Sequence, residues 1–246
     1  MTEKQLYKLL KDELTKIIDK YHIDADTINI NSKTLSAEEA IGTTIRKDFP
    51  IIIGKEVMLQ AEYQGCYGQA FTDAPAIFNG TLSQILDMDL DHDLHSRGLF
   101  IAALNAVMCK LGLADRTIHC KNDGPELCGR QFVPYITEHY ENPKITLIGY
   151  QPSILDNLSK VFRVRVLDLN EDNVGNIRYG VKVEHGIDDY DNAVKWADVI
   201  LCTGSTVCNG TIVNFLNLDK EVIFFGTTLA GTAAIMNLKR ACFESV

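Results

Sequence analysis

Val199-Ile-Leu-Cys-Thr-Gly-Ser-Thr-Val-Cys-Asn-Gly-Thr211 is the stretch of sequence that decides the fold. Its first residues, Val199–Cys202, are apolar, which is typical of a strand buried on both faces of a parallel sheet. Small polar residues follow, and Ile212-Val-Asn-Phe-Leu216 then shows an amphipathic helical pattern. A strand, a polar turn with glycines and a helix, in this order, point backbone N–H groups and a helix N-terminus at one small ligand, usually an anion.

A weaker version of the same pattern follows at Val222-Ile-Phe-Phe-Gly-Thr-Thr-Leu-Ala-Gly-Thr232. Here too a short apolar run leads into glycine and threonine, and a last short helix is expected from Gly231. Parallel strands present their carboxyl ends at the same edge of a sheet, so the two turns are expected to lie close together. The two turns indicate the position of a binding site and say less about the identity of its ligand.

The composition excludes several classes of protein. The 246 residues carry a formal net charge of −9 and a pI near 5.1, which argues against nucleic acid as a partner because its backbone needs a basic face. No apolar run approaches the roughly 20 residues of a membrane span, so no membrane partner is expected. The polar start at Met1 and the seven scattered cysteines predict a cytoplasmic protein with reduced thiols.

The first half has the pattern of an α+β domain. Residues 3–21 form an amphipathic helix with Thr2 and Gln5 as a capping box. An antiparallel sheet of about three strands is predicted from Thr27–Ile30, Ile51–Ile53 and Val57–Tyr63. Helices are then expected over 81–88 and 93–111, the second ended by Gly112, and around 131–139.

The second half alternates strands with helices of about ten residues, which indicates βαβ crossovers and a parallel, Rossmann-like sheet. The boundary is expected near residue 142, with an α+β domain over 1–142 and a Rossmann-like α/β domain over 143–246. Its predicted strands are 145–149, 164–169, 181–183, 199–202 and 222–225, and its predicted helices are 153–162, 189–197, the segment after Asn209 and the segment from Gly231.

Ligands of an open parallel sheet bind beyond the carboxyl ends of its strands. Four predicted strand ends carry suitable residues there, although Ser, Thr, Asn and Gly are also the residues that ordinary caps and turns use. The evidence for a binding site is therefore the presence of suitable residues at all four strand ends, and not any single residue. The candidate ligand-binding residues are Gly149, Tyr150, Gln151, Asp168, Thr203, Gly204, Ser205, Thr206, Asn209, Gly210, Thr211, Gly226, Thr227 and Thr228.

The first strand of this half is not followed by a dinucleotide motif. Gly149 precedes Tyr150, Gln151 and Pro152, so Gly-x-Gly-x-x-Gly is absent and a pyrophosphate lacks its close approach to the backbone. Asp168 does stand at the end of the second strand, where an acid would bind a ribose. A nucleotide or S-adenosylmethionine in the same crevice therefore stays open as an alternative.

Metal binding is considered from the cysteines and from one acidic run. Residues 87–93 begin with EF-hand spacing, but His92 and Gly98 stand where the turn glycine and the bidentate glutamate belong, so we interpret the run as a solvated connection. Cys202 is expected to be a small core residue. The candidate metal ligands are Cys208, Cys66 and Cys242, and the possible cofactor is a transition metal. Cys208 stands beside the first turn of a predicted helix, which would stabilise its thiolate.

Several quoted motifs together are similar to a known family. They are Gly149-Tyr150, Thr203-Gly-Ser-Thr-Val-Cys-Asn-Gly-Thr211, Phe225-Gly-Thr-Thr-Leu-Ala-Gly231, Ile41-Gly-Thr43 and Tyr67-Gly-Gln-Ala-Phe-Thr72. The chain resembles, over nearly its whole length, the bacterial and archaeal domain-of-unknown-function family described as putative heavy-metal chelation proteins. The resemblance implies an enolase-N-terminal-like α+β domain followed by a Rossmann-like domain, with the site between them, at the 204–211 turn and the Gly149 loop.

The leading functional hypothesis is a protein that binds a small polar or anionic ligand, or a metal complex, between the two domains, in connection with heavy-metal chelation. One alternative is an enzyme that uses a nucleotide or S-adenosylmethionine in that crevice. Another is a non-catalytic carrier or scaffold. No catalytic base or nucleophile stands out, so no reaction class is assigned, and a homo-oligomer is possible.

Overall fold

A computed structural model describes residues 1–26, 29–54 and 56–246. The strand predicted at Thr27–Ile30 includes residues 27 and 28, which lie outside the described ranges. The described part of this strand begins at Asn29. A single 3-10 helix over Thr211–Phe215 accompanies the other elements of the described ranges. In chain order these are α1 (Glu3–Lys20), β1 (Asn29–Leu35), α2 (Ala37–Ile41), β2 (Val57–Tyr63), β3 (Cys66–Thr72), β4 (Phe78–Thr81), α3 (Leu82–Leu86), α4 (Leu94–Lys110), α5 (Gly124–His139), β5 (Lys144–Ile148), α6 (Pro152–Ser159), β6 (Arg163–Asp168), β7 (Ile177–Arg178), β8 (Val181–His185), α7 (Tyr190–Trp196), β9 (Val199–Thr203), α8 (Thr206–Asn209), β10 (Glu221–Phe225), α9 (Ala230–Met236) and β11 (Arg240–Ala241).

The first half contains an antiparallel sheet with the strand order β3-β2-β1-β4. The expected strand at Ile51–Ile53 is wrong, because these residues form a turn. Ile51 is 7% exposed and belongs to a small apolar cluster with Leu35 and Met58. The apolar run thus reflects burial in a loop and not strand pairing, while β3 and β4 supply the other two strands.

The second half contains a seven-stranded sheet with the order β11-β10-β9-β5-β6-β8-β7, parallel except for β7. If its parallel strands are numbered along the chain, the order is 3-2-1-4-5-6, that of a Rossmann fold. The predicted α/β fold is confirmed. The strand order reverses between β5 and β9, because β6 and β8 follow on one side of β5 and β9, β10 and β11 on the other. A crevice is expected beyond the carboxyl ends of β5 and β9.

Helix α4 lies between the two sheets. It packs on β2 and β3 on one side and on α8 and α9 on the other, and its residues from Ser96 to Met108 are all buried. A helix that is apolar all round is expected in such a position. Gly68 of β3 allows the close approach, because a Cβ atom there would lie 2.3 Å from the Ala102 carbonyl oxygen.

Two helix predictions are wrong in their bounds. The α-helix expected after Asn209 is instead α8, which begins inside the predicted turn, followed by the 3-10 helix. Gly210 separates them with a left-handed φ of 81°, which ends α8 after a single turn. Helix α5 begins at Gly124, seven residues before the predicted Gln131, and Pro125 occupies its first turn, where proline is well tolerated.

The apolar core is continuous between the halves. Leu59 of β2, Phe100 of α4, Cys202 of β9 and Phe224 of β10 belong to one buried cluster. The division into domains over 1–142 and 143–246 therefore stays a prediction, since no gap in packing marks it. No helix among the described residues combines the length and the apolar character that crossing a bilayer requires.

Candidate functional site

The crevice lies where the strand order of the parallel sheet reverses, between β5 and β9. Gly149 follows β5 with a left-handed φ of 84°, and a Cβ atom there would come within 2.7 Å of Thr203 Cγ2 at the end of β9. Any other residue would be strained at this φ and would push the two strand ends apart. The predicted Gly149 loop and Thr203 turn are therefore in direct contact.

A crevice of about 510 Å³ opens beyond these strand ends. On the other side it is lined by residues from the first half of the chain, of which Glu56 and Asp73 carry carboxyl groups. Neither was predicted, and nothing in the pattern around them singles them out. The predicted residues that line the crevice are Gly149, Asp168, Thr203, Ser205, Thr206, Asn209 and Thr211, together with Cys208.

Three carboxyl groups thus line one crevice: Glu56, Asp73 and Asp168. Burial, followed by the charges of Asp168 and Asp73, raises the pKa of Glu56 to about 7. Within the described residues, Glu56 has no hydrogen-bond or ion-pair partner that would offset this. A half-buried carboxyl group that titrates near neutral pH beside two other acids is typical of a functional site.

Three N–H groups of the turn after β9 are already hydrogen-bonded to other groups of the protein. The Gly204 N–H donates to the Phe225 carbonyl at 2.7 Å, and the Cys208 N–H donates to the Ser205 carbonyl at 2.9 Å. The Asn209 carboxamide oxygen accepts from the Thr211 N–H at 3.0 Å and from its hydroxyl at 2.7 Å. These three N–H groups therefore do not face a ligand, and a helix of four residues adds little dipole.

Asp168 also has an internal role. Its Oδ2 accepts from the Tyr150 N–H at 2.6 Å, and its Oδ1 accepts from the Asn170 N–H at 2.6 Å. The carboxylate thereby holds the loop after β5 against the end of β6. A ribose at this strand end would share both oxygens with these backbone donors.

A second, smaller cavity of about 120 Å³ adjoins the crevice. Gly149, Thr203 and Ser205 line both spaces. Its lining contains three cysteines, Cys120, Cys128 and Cys242, and we call this space the thiol cavity. The other predicted residues in its wall are Tyr150, Gln151, Gly204, Gly226 and Thr228.

Two predicted ligand residues line neither space. Gly210 packs against the side chain of Glu3, where a Cβ atom would come within 2.5 Å. Thr227 is fully buried, and its backbone carbonyl accepts from the Asn105 side chain. Both positions shape the turns without facing the crevice.

The candidate metal ligands lie in three different surroundings. Cys66 is on the β2–β3 hairpin beside Cys109, Cys208 lines the crevice, and Cys242 lines the thiol cavity. Among the residues that the structure describes, no group of three or more His, Cys, Asp or Glu side chains is arranged to hold a metal ion. Burial raises the pKa of Cys208 to about 12, so the expected stabilised thiolate is wrong there.

Cys242 has the opposite electrostatic environment. The pKa of its thiol is lowered, first by a hydrogen bond from the Cys128 thiol and then, against the effect of burial, by the Ser245 hydroxyl, Arg240 and the Gly226 N–H. Ser245 Oγ lies 3.0 Å from Cys242 Sγ. The pKa of Cys128 is raised in turn, by its hydrogen bond to Cys242 and by burial.

A buried asparagine joins the wall of the thiol cavity to the first half of the chain. Asn105 of α4 donates to the carbonyls of Gln69 at 2.9 Å and Thr228 at 3.0 Å, and its Oδ1 accepts from the Gly231 N–H at 2.8 Å. The turn after β10 is thereby fixed to β3. A single amide within the apolar run Leu99–Met108 of α4 is a signal from which the sequence could have predicted this role.

An ion-pair network joins the loop before β2 to α5 and α6. Arg46, in the loop before β2, pairs with Glu126 of α5 at 2.5 Å and with Asp156 of α6 at 2.8 Å, and it contacts the Tyr179 hydroxyl. Asp48 accepts from the hydroxyls of Tyr150 at 2.9 Å and Tyr179 at 2.6 Å. Sequence alone has no signal for these long-range pairs.

Residues 134–237 match the model of the DUF364 family, described as putative heavy-metal chelation. The resemblance predicted from the sequence is confirmed. The matched segment runs from α5 to α9, so it includes the strands whose ends form the crevice. No curated protein matches the chain.

Two solved structures of DUF364 proteins of unknown function are similar to this chain. One, from Pyrococcus horikoshii, is 17% identical with a TM-score of 0.54, over 91% of this chain and 79% of its own. The other, from Desulfitobacterium hafniense DCB-2, is 10% identical with a TM-score of 0.54, over 95% and 82%. At these identities the likeness shows a shared fold.

Proposed function

We propose that this protein binds a small metal complex in the crevice between the two sheets, as part of the heavy-metal chelation that describes DUF364. The observation that carries the proposal is the convergence of Glu56, Asp73 and Asp168 on one crevice. Both halves of the chain contribute carboxyl groups to this set of three, so the site exists only in the folded protein.

The size of the crevice favours a complex over a bare ion. About 510 Å³ lies within the range of roughly 300 to 1,000 Å³ that is typical of small-molecule sites. A water molecule takes up about 30 Å³. A metal ion together with an organic chelator fills such a space, and the threonine, serine and asparagine side chains offer hydrogen bonds to the chelator.

The charge of the crevice favours a ligand with a cationic centre. Three carboxyl groups repel a free anion, and three N–H groups of the turn after β9 are occupied internally. Of the ligand classes predicted from sequence, a metal complex agrees better with this surface than a simple anion does. Carboxylate oxygens bind hard and borderline metal ions, and hydroxyl and amide groups bind polar chelators.

The test is a thermal-shift and calorimetric titration with NiCl2, CoCl2 and ZnCl2, each alone and with citrate or L-histidine. A complex at a hundredfold excess over its Kd is expected to raise Tm by about 5 to 10 °C. Glu56→Gln is expected to weaken binding by at least about tenfold, since it removes a charge-assisted contact. Glu141→Gln, at an exposed position, is the matched control.

The affinity of the wild type is also expected to fall as the pH drops below about 7, because Glu56 then takes up a proton. Absence of any shift with all three metals, alone and chelated, would refute the proposal. A titration with S-adenosylmethionine and ATP tests the nucleotide alternative. Binding of either that is lost in Asp168→Asn would favour that alternative instead.

A further inference from the structure

We propose that the thiol cavity is an apolar subsite of the carboxylate crevice, and that it takes one ring about the size of benzene from the bound ligand. The inference rests on the proposed function, because the rest of that ligand is the metal complex in the crevice. It narrows the ligand class to complexes whose chelator carries a single compact apolar ring. Five features of the structure support it.

The first feature is the apolar part of the cavity wall. Phenylalanine and isoleucine side chains from both halves of the chain line the cavity, and they include Phe49, Ile51, Phe71, Ile154 and Phe225. Thiol groups in such surroundings behave as further small apolar groups. Phenylalanine rings also favour edge-to-face or offset contact with another ring. The wall is therefore suited to an apolar group, and to an aromatic ring in particular.

The second feature is that several polar side chains of the wall are hydrogen-bonded within the protein. The Gln151 carboxamide oxygen accepts from a backbone N–H of α6 at 2.6 Å. The Thr228 hydroxyl oxygen accepts from the Phe71 N–H at 2.9 Å, and Cys242 Sγ accepts from the Ser245 hydroxyl at 3.0 Å. A polar ligand group in the cavity would have to compete with these bonds, whereas an apolar group leaves them intact.

The third feature is the state of His119, the imidazole of the cavity wall. Its Nδ1 lies 2.7 Å from the Cys120 carbonyl oxygen, and its ring meets the Phe71 ring edge-on with 5.3 Å between the ring centroids. Burial lowers the pKa of His119, so the imidazole is neutral. His119 therefore adds an uncharged aromatic surface to the wall.

The fourth feature is the size of the cavity, which is about 120 Å³. An apolar cavity of about 150 Å³ lined by leucine, isoleucine and phenylalanine stays free of water and binds benzene. The thiol cavity is close to this volume and is lined by similar side chains. It is therefore suited to one ring and is too small for two fused rings.

The fifth feature is the continuity of the cavity with the crevice. Glu56, Gly149, Thr203 and Ser205 line both spaces, and so does the apolar side chain of Phe71. Glu56 is the carboxyl group that the two spaces share, so a metal ion beside it would lie next to the cavity. A ring joined to the chelator through one methylene group could then enter the cavity while the metal stays in the crevice.

The experiment compares nickel complexes of N-methyliminodiacetate and N-benzyliminodiacetate, which share their donor atoms and charge and differ by a phenyl ring. Calorimetric titration of the full chain measures the Kd of each complex. The benzyl complex is expected to bind at least about tenfold more tightly, because its ring leaves water for an apolar cavity. The complex of N-(2-naphthylmethyl)iminodiacetate, whose second fused ring does not fit, is expected to bind no more tightly than the methyl complex.

A variant that fills the cavity locates the ring. Ile51→Phe is expected to reduce the affinity for the benzyl complex to that for the methyl complex, and to leave the methyl complex within about twofold of wild type. Ile53→Phe, in the same turn but 50% exposed, is the matched control and should bind both complexes as wild type does. Circular dichroism verifies the folding of both variants.

The wild-type titrations decide the inference even if Ile51→Phe does not fold. Equal affinity for the methyl and benzyl complexes would overturn the apolar subsite and leave the metal-complex proposal standing. A gain with the naphthyl complex as large as that with the benzyl complex would also overturn it, because the ring would then lie outside the cavity. Absence of binding of all three complexes would overturn both proposals.

Discussion

The carboxylate crevice and the thiol cavity share a wall and differ in size and in the other groups that line them. Glu56, Gly149, Thr203 and Ser205 line both spaces. The crevice also has Asp73 and Asp168, whereas the cavity is about a quarter of its volume and has three cysteines. We propose the crevice as the site of a polar ligand that carries a cation.

The difference shows how one sheet edge can serve two chemistries. The strand ends contribute hydroxyls and glycines to both spaces, and these residues do not distinguish them. What distinguishes them comes from the rest of the chain: Asp73 in the crevice, and Cys120 and Cys128 in the cavity, while Glu56 lines both. Chemical identity is therefore decided by the residues packed against the sheet.

The largest effect is expected at Asn105, which fixes the turn between β10 and α9 in the cavity wall to β3. Asn105→Ala removes bonds to four backbone groups in a fully buried position and leaves a small void. The free energy of unfolding is expected to fall by about 3 to 5 kcal/mol, as measured by urea denaturation. Asn192→Ala, exposed on α7, is the control, and an equally small change at both positions would contradict the assigned role.

A smaller loss of stability is expected at Arg46, which ties the loop before β2 to α5 and α6. Arg46→Ala leaves Glu126 and Asp156 without their guanidinium partner at side-chain exposures of 15% and 20%. The loss is expected to be about 1 to 3 kcal/mol, because the carboxylates are largely but not fully desolvated. Lys33→Ala breaks the exposed pair with Glu39 and should cost less than about 0.5 kcal/mol.

If the Arg46 network is independent of the crevice, Arg46→Ala should leave metal-complex affinity in the crevice within about twofold of wild type. A larger loss of affinity would show that the network and the crevice are coupled. The comparison uses wild type and variant under conditions in which both are folded.

The smallest change in the free energy of unfolding is expected for Glu56→Gln, and this substitution should stabilise the protein. The pKa of Glu56 in the folded protein is about 7, above the ordinary value of 4.5, so the folded state binds more protons between these values. The contribution of Glu56 to the free energy of unfolding is therefore fully present below about pH 4.5 and is lost as the pH rises through 7. Glu56→Gln should stabilise the ligand-free protein by about 1 to 2 kcal/mol at pH 8 and leave it unchanged near pH 4.

The measurement for Glu56 is the difference in free energy of unfolding between variant and wild type at the two pH values. Taking the difference cancels the titration of all other groups. A pH-independent difference would show that Glu56 has an ordinary pKa, and the electrostatic argument for the crevice would then fail.

Much of the second half was predictable because its strands are short, apolar and separated by helices. Val199–Cys202 and Val222–Phe225 are strands as predicted, and the Thr2–Gln5 capping box is present. The segment Ile51–Ile53 was predicted wrongly because burial in a loop and pairing in a strand select the same residues. The two-residue strands β7 and β11 are too short to leave any periodicity.

Part of the candidate site was predictable, because its strand-end residues follow a local pattern along the chain. Strand-end residues such as Thr203 and Ser205 are recognisable from local order, and the structure places them on the walls of both spaces. Glu56 comes from a distant part of the chain and has no local pattern. Cys208, which local order placed at a helix start, is buried, and its thiol is disfavoured as a thiolate.

By itself, the sequence determined the βαβ alternation, the strand-end turns and the likeness to DUF364, because each depends on short-range order along the chain. The tertiary structure alone decided the strand order 3-2-1-4-5-6, and hence that Gly149 and Thr203 meet. It also decided that Asp73 and Asp168 line one space beside the Thr203–Thr211 turn, and that Cys120, Cys128 and Cys242 line the other. Those groupings join residues up to about half the chain apart, and only packing brings them together.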